Sequence, residues 1–163
     1  MDDCASPLLR RLLDTHGSAL HATHARLGDA TAIVKPPALL EVMGFLRDEP
    51  GLEFDMLLDL TAVDHLGEEP RFEMVYHLYS LARNHRLRIK ARLPESEPVV
   101  ASLTGLWASA DWMEREVFDL YGIRFEGHPD LRRILLDESF EGHPLRKDHP
   151  KAARRPPVEP RQA

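Results

Sequence analysis

Three stretches in the middle of the chain alternate apolar and polar residues with a period of two. Phe54, Met56, Leu58, Leu60 and Ala62 alternate with Asp55, Asp59 and Thr61. Phe72, Met74, Tyr76 and Leu78 alternate with Glu73 and His77. Leu87, Ile89, Ala91 and Leu93 alternate with Arg86, Arg88, Lys90 and Arg92. Such a pattern buries one face of a strand and wets the other. The turns at Gly67 to Pro70 and Ala82 to His85 are short enough for antiparallel neighbours.

Helical spacing dominates on either side. Leu8, Leu9, Leu12, Leu13 and Leu20 predict a helix within residues 6–25, behind a Ser6 cap and Pro7. A short strand is expected over Thr31 to Val34. Pro36-Pro37 then opens a helix from Ala38 to Arg47, striped by Leu39, Leu40, Met43 and Leu46. Val99, Val100, Leu103, Leu106 and Trp107 predict a further helix. Asp111 stands three before Glu114, the spacing of a capping box, so a fresh helix is expected from Trp112 to the natural stop at Gly122. The resulting fold is α+β, a mostly antiparallel sheet covered by helices on one face. Residues 1–123 form the domain, 124–150 a long extended C-terminal arm that docks a partner, and 151–163 a flexible tail.

The arm carries an internal repeat. Phe125-Glu126-Gly127-His128-Pro129 recurs as Phe140-Glu141-Gly142-His143-Pro144. Neither copy suits a helix, because proline lacks an N–H and pushes the preceding histidine toward extended geometry. Charge is also unevenly spread. The net charge of −6 divides into +4 from Arg146 onward and −10 before it. The acidic body excludes wholesale binding to nucleic acid. No window approaches the roughly 20 apolar residues of a membrane span, and the opening MDDCASPLLRRLL does not read as a signal peptide. A soluble chain is expected, linked to a membrane only through partners. The single cysteine, Cys4, excludes an internal disulfide and a cysteine-held iron–sulfur cluster within the chain.

Candidate chemistry is sparse. On the helix expected from Trp112, Met113, Val117, Leu120 and Tyr121 share the core side, and Glu114, Arg115, Phe118 and Asp119 lie off it. Arg115 and Asp119 are spaced to pair. Glu114 and Glu116 point to different sides, which argues against paired acid–base work. His21 and His24 would share a helical face but lack other ligand types nearby, so a surface pair is expected and not a metal site. There is no glycine-rich nucleotide loop, nucleophile elbow or zinc-protease motif. Apolar Ile134-Leu135-Leu136 between Arg132-Arg133 and Arg146-Lys147 suits an arm ordered against a neighbour.

In order and spacing, Glu114-Arg115-Glu116, Asp119-Leu120-Tyr121-Gly122-Ile123, Gly127-His128-Pro129-Asp130-Leu131-Arg132-Arg133, Ile134-Leu135 and His143-Pro144-Leu145-Arg146-Lys147-Asp148 resemble a known signature. It is that of the hydrophilic C-subunit family of proton-translocating NADH:quinone oxidoreductase, respiratory complex I. The resemblance implies a non-catalytic structural subunit of the peripheral arm, beside the quinone-site D subunit and other hydrophilic-arm subunits, on the cytoplasmic face of the bacterial inner membrane. FMN, iron–sulfur clusters and quinone are then expected in other subunits, and no catalytic, cofactor or metal residue in this chain. Arg115 would fix helix geometry, and Glu114, Glu116 and Asp119 would set caps and partner ion pairs. His128, Arg132, Arg133, His143, Arg146 and Lys147 would anchor the arm, with Gly122, Pro129, Pro144 and Asp148 completing the motif. Two other readings remain: the equivalent subunit of a membrane-bound hydrogenase or formate hydrogenlyase, and a free-standing binding module or small hydrolase.

Overall fold

The structure, a computed structural model, describes residues 6–150. The expected tail over 151–163 lies outside the described residues. Helix α1 (Pro7–His16) is followed by strands β1 (Leu20–His24) and β2 (Thr31–Val34), helix α2 (Leu39–Asp48) and strands β3 (Met56–Asp64), β4 (Phe72–Ser80) and β5 (His85–Leu93). A short strand β6 (Val99–Ala101), helix α3 (Ala110–Tyr121) and strand β7 (Arg124–Glu126) complete the regular elements.

The main sheet runs β1-β2-β5-β4-β3. All its pairs are antiparallel except β2 with β5, so the expected α+β class and mostly antiparallel sheet hold. The inward faces of β4 and β5 put Met74, Tyr76, Leu78, Ile89 and Ala91 into one core with Leu9 and Leu12 of α1, Leu39, Val42, Met43 and Leu46 of α2, and Val117 of α3. The opposite face keeps the basic column Arg86, Arg88, Lys90 and Arg92, as its alternation requires.

Several local expectations are corrected. The helix expected over residues 6–25 stops at His16. After one 3-10 turn, Leu20–His24 becomes a strand because the Thr31–Val34 edge gives it a hydrogen-bonding partner. His21 and His24 therefore share no helical face. The helix expected from Val99 is instead β6 and a turn. Val100, Leu103 and Trp107 are buried from that irregular path, with the Trp107 indole donating to the Phe54 carbonyl at 3.1 Å. In β3 a bulge between Leu57 and Asp59 reverses the phase, so Leu57 points inward while Met56 and Leu58 face out. Finally, Arg124–Glu126, expected to begin the arm, pairs in parallel with β6 and buries Phe125.

Candidate functional site

Helix α3 is the centre of the motif region, and its charged residues are not where amphipathicity places them. Glu114 and Asp119 are fully buried and Arg115 nearly so, whereas Met113, Leu120 and Tyr121 are only half-buried. Glu116 alone of the four charged motif positions on the helix is exposed. The expected capping box does not form: Ser109 is the N-cap, without a side-chain hydrogen bond. The Glu114 carboxylate accepts the Leu103 N–H at 2.6 Å and the Ser102 hydroxyl at 2.7 Å. It thus ties the loop after β6 to the helix. Burial pushes its carboxyl above the ordinary range, outweighing those two donors.

Asp119 does not pair with Arg115. Its Oδ2 accepts three consecutive backbone N–H groups, Ile134 at 3.1 Å and Leu135 and Leu136 at 2.9 Å each. Its Oδ1 takes the Arg133 guanidinium at 2.7 Å. Burial alone would raise this carboxyl, but the three amides and Arg133 outweigh it and hold it below the usual carboxylate range. Arg115 instead donates to the Arg132 and Arg133 carbonyl oxygens at 3.2 and 3.3 Å, while its guanidinium lies 5.3 Å over the Trp112 ring.

The arm follows α3 in register and direction. His128 meets Asp111 at the start of the helix, Arg132 and Arg133 meet Arg115, and residues 134–136 meet Asp119. The chain then loops out and returns over the helix end. There the His143 Nδ1–H donates to the Asp119 carbonyl oxygen at 2.9 Å, Leu145 N–H to that of Leu120 at 3.1 Å, and Arg146 to that of Tyr121 at 2.5 Å. Carbonyls that a helix terminus leaves without partners are thereby supplied by the arm. The two Gly-His-Pro copies have one backbone solution, φ +83° at both Gly127 and Gly142, and opposite destinations. The first histidine sits at the N-terminal end of α3 and the second at its C-terminal end. At His128 the Asp130 N–H donates to Nδ1 at 3.0 Å, which leaves Nε2–H as donor to the Asp111 carbonyl at 3.2 Å.

A second cluster holds the end of the arm. Arg71, 1% exposed, donates through Nε and Nη2 to both Asp64 oxygens at 2.8 Å each, and also reaches Glu95 at 2.6 Å. Asp148 of the arm receives its Nη2 at 2.8 Å and Nη1 at 3.1 Å, and the Lys147 N–H donates to Asp64 at 2.8 Å. The Arg71 bonds, first from its side chain, keep the Asp64 and Asp148 carboxyls below their ordinary range. Sequence patterning singles out none of Arg71, Asp64, Glu95 and Ser102. Asp64 does leave a signal, an acid continuing the inward series Leu60, Ala62. Arg71 leaves none, since its partners lie 7, 24 and 77 positions away.

Of the remaining motif residues, Pro144 is half-buried and Pro129 exposed, and the Arg132 side chain is 69% exposed beside Asp130. Among the described residues, no group of three or more His, Cys, Asp or Glu side chains is placed to hold a metal ion. No described helix is long and apolar enough to cross a membrane.

The chain is thus an α+β body with a motif-bearing arm clasped along one of its own helices. The family described as respiratory-chain NADH dehydrogenase, 30 kDa subunit, matches residues 32–155, and the chain belongs to that C-subunit family of complex I, the NADH-quinone oxidoreductase. It is 51% identical over 142 residues to an NADH-quinone oxidoreductase C subunit of Rhizobium meliloti (strain 1021), the one numbered 2, covering 87% of this chain and 78% of that one. It is 48% identical to the corresponding C subunit of Roseiflexus sp. (strain RS-1), covering 90% and 84%. Among solved structures, a trypsin-resistant fragment (1–134) of Nqo5 superposes with a TM-score of 0.67 at 32% identity, covering 76% of this chain and 98% of that fragment. A chain of an archaeal membrane-bound sulfane sulfur reductase shares the fold, with a TM-score of 0.74 at 23% identity over 89% and 85% of the two chains.

Proposed function

We propose that this chain is a non-catalytic structural subunit of the peripheral arm, packed beside the quinone-site D subunit on the cytoplasmic face of the bacterial inner membrane. The assembly passes electrons from NADH through FMN and iron–sulfur clusters held in other subunits to quinone, coupled to proton translocation. This chain holds none of those groups and supplies shape. The supporting observation is how the arm layer divides its residues. Asp119, Arg133, His143 and Arg146, the groups best able to do chemistry, bond the chain's own backbone and side chains. Beside its exposed charges the layer presents three large apolar side chains outward: Trp112 and Leu135 at 62% exposed and Leu145 at 49%. Exposed aromatic and aliphatic side chains in one layer suit a protein neighbour.

The test is affinity purification of the tagged full chain from membranes, with identification of the co-purifying chains. Trp112→Asp and Leu135→Asp should deplete the D subunit and NADH:quinone reductase activity while circular dichroism of the purified variants stays unchanged. Undiminished assembly in both variants would overturn the reading. Co-purification of hydrogenase subunits without NADH-oxidising ones would instead support the alternative of an equivalent subunit in a membrane-bound hydrogenase, which can share these motifs.

A further inference from the structure

We propose that residues 127–148 form a strap that opens and closes as one unit over a body that stays folded, locked at mid-length by Asp119 and at its end by Arg71. The inference concerns this chain alone and stands whichever partner the arm layer meets.

The strap has no core of its own. No residue from Glu126 to Pro150 is buried as a whole, and of the side chains in its ion pairs only the polar His128 ring is fully covered, whereas Ile123 and Phe125 immediately before it are 0% and 3% exposed. Leu131 only leans on the core from outside. Opening therefore exposes little apolar surface, and what holds the strap is polar. Segments of this kind open locally at a free energy well below that of global unfolding. The two locks belong to the body: Asp119 lies within α3, and Arg71 at the entry to β4, where the buried Asp64 stays its partner whether the strap is closed or open.

The locks are joined through the strap. Arg133 holds Asp119 at 2.7 Å and with its other terminal nitrogen holds the Gly142 carbonyl at 3.1 Å, closing the outward loop between them. His143, Leu145 and Arg146 continue over the end of α3, and Lys147 and Asp148 reach Asp64 and Arg71. Releasing one end removes the anchor of the next contact along. Opening would bare the carbonyls of Asp119, Leu120 and Tyr121 together with the amides of Ile134 to Leu136, a change of surface without a change of fold.

Hydrogen exchange on the full chain tests this. The Ile134, Leu135 and Leu136 amides lie in no helix or strand, yet they should exchange far more slowly than in a free peptide and faster than the amides of β4. Asp148→Ala, at a side chain 50% exposed, should speed exchange at Leu145, Lys147 and Ile134 to Leu136 alike by roughly tenfold, the loss of a charge-assisted bond. The β4 and α3 amides should not respond. Asp119→Asn should release the same set further. If that variant fails to fold, Asp148→Ala decides alone. Free-peptide exchange at the three amides would overturn the proposal, as would protection equal to that of β4. A response to Asp148→Ala confined to Leu145 and Lys147 would also overturn it, because the strap would not then move as one.

Discussion

The His143 ring lies directly on Gly122: its Nε2 is 2.5 Å from the point where a Cβ on that glycine would sit, and Arg146 Nη2 is 2.8 Å away. Gly122 also ends α3 at φ +74°. Two requirements thus meet at one residue, a left-handed stop and room for the returning arm. The first alone makes Gly122→Ala cost about 1 kcal/mol. The second adds to it, because His143 is fixed through its other nitrogen and has little freedom to withdraw. The expected outcome in thermal melts is a lowered midpoint, accompanied by faster proteolysis after Arg146 and Lys147. A melt shifted with no change in arm proteolysis would show that the arm is indifferent to Gly122.

The fold is legible wherever one pattern runs uninterrupted. β5 follows strict alternation, β4 keeps an apolar residue at every inward position from Phe72 to Leu78, and α3 ends at the glycine whose chemistry announces it. Legibility ends where partners are distant. Leu20 to His24 has acceptable helical spacing, but only the neighbouring edge of β2 makes it a strand. Val99 to Trp107 has helical spacing too, yet β7, which comes later in the chain, recruits its first residues. Amphipathicity also misplaces Glu114 and Asp119, because it assigns charge to the surface unless donors are already known. Those donors are the Leu103 amide, 11 positions before Glu114, and three arm amides 15 to 17 positions after Asp119. The motif itself is visible in the sequence; its use within the chain is not.

The acids that hold the arm and the loop after β6 should act in opposite directions with pH. Asp119, Asp64 and Asp148 have folded-state affinities for protons below their ordinary 3.8, so their contribution is present above that pH and is lost as pH falls through the lower folded values. His143 is pushed below its ordinary 6.5, first by burial, and adds to the same acid-side loss beginning near that value. Glu114 is pushed above its ordinary 4.5, so its contribution is complete at lower pH and diminishes as pH rises through its folded value. Denaturant midpoints across pH should therefore show Glu114→Gln gaining on the natural chain between acid and neutral pH, then holding constant. Glu114→Ala should lose on the order of 1–3 kcal/mol at every pH, since it strands the Leu103 amide and Ser102 hydroxyl. A constant Glu114→Gln difference across the range would mean that burial is not what governs this carboxyl.

Arg71 uses all three of its nitrogens on three carboxylates, with a bidentate fork to Asp64. Removing it leaves Asp64, itself 3% exposed, as a buried anion without its counter-charge. Arg71→Met should cost about 3–5 kcal/mol. Arg71→Lys should recover only part of it, because an ammonium cannot reproduce the planar fork. Equilibrium urea unfolding measures both. A lysine variant as stable as the natural chain would show that charge alone suffices.

Adjacent arginines in the arm should behave differently despite equal charge and equal place in the motif. Arg132 points outward, its side chain 69% exposed and paired with the exposed Asp130. Arg133 is 19% exposed, reaches the fully buried Asp119, and bridges to the Gly142 carbonyl with its guanidinium 5.8 Å over Phe140. Arg132→Glu should shift stability by no more than about 0.5 kcal/mol. Arg133→Glu sets a second anion against Asp119 and should cost on the order of 3 kcal/mol or release the arm outright. Truncation after Phe125, which the sequence pattern suggests would leave the body nearly intact, should be costly for the same reason. It removes the three amides and the arginine that satisfy Asp119, and the Lys147 and Asp148 contacts of the Asp64–Arg71 pair. The shortened body should keep its sheet by circular dichroism yet melt well below the full chain. Equal melting of the Arg132→Glu and Arg133→Glu chains, or of the truncated and full chains, would mean that the arm closes on the body without stabilising it.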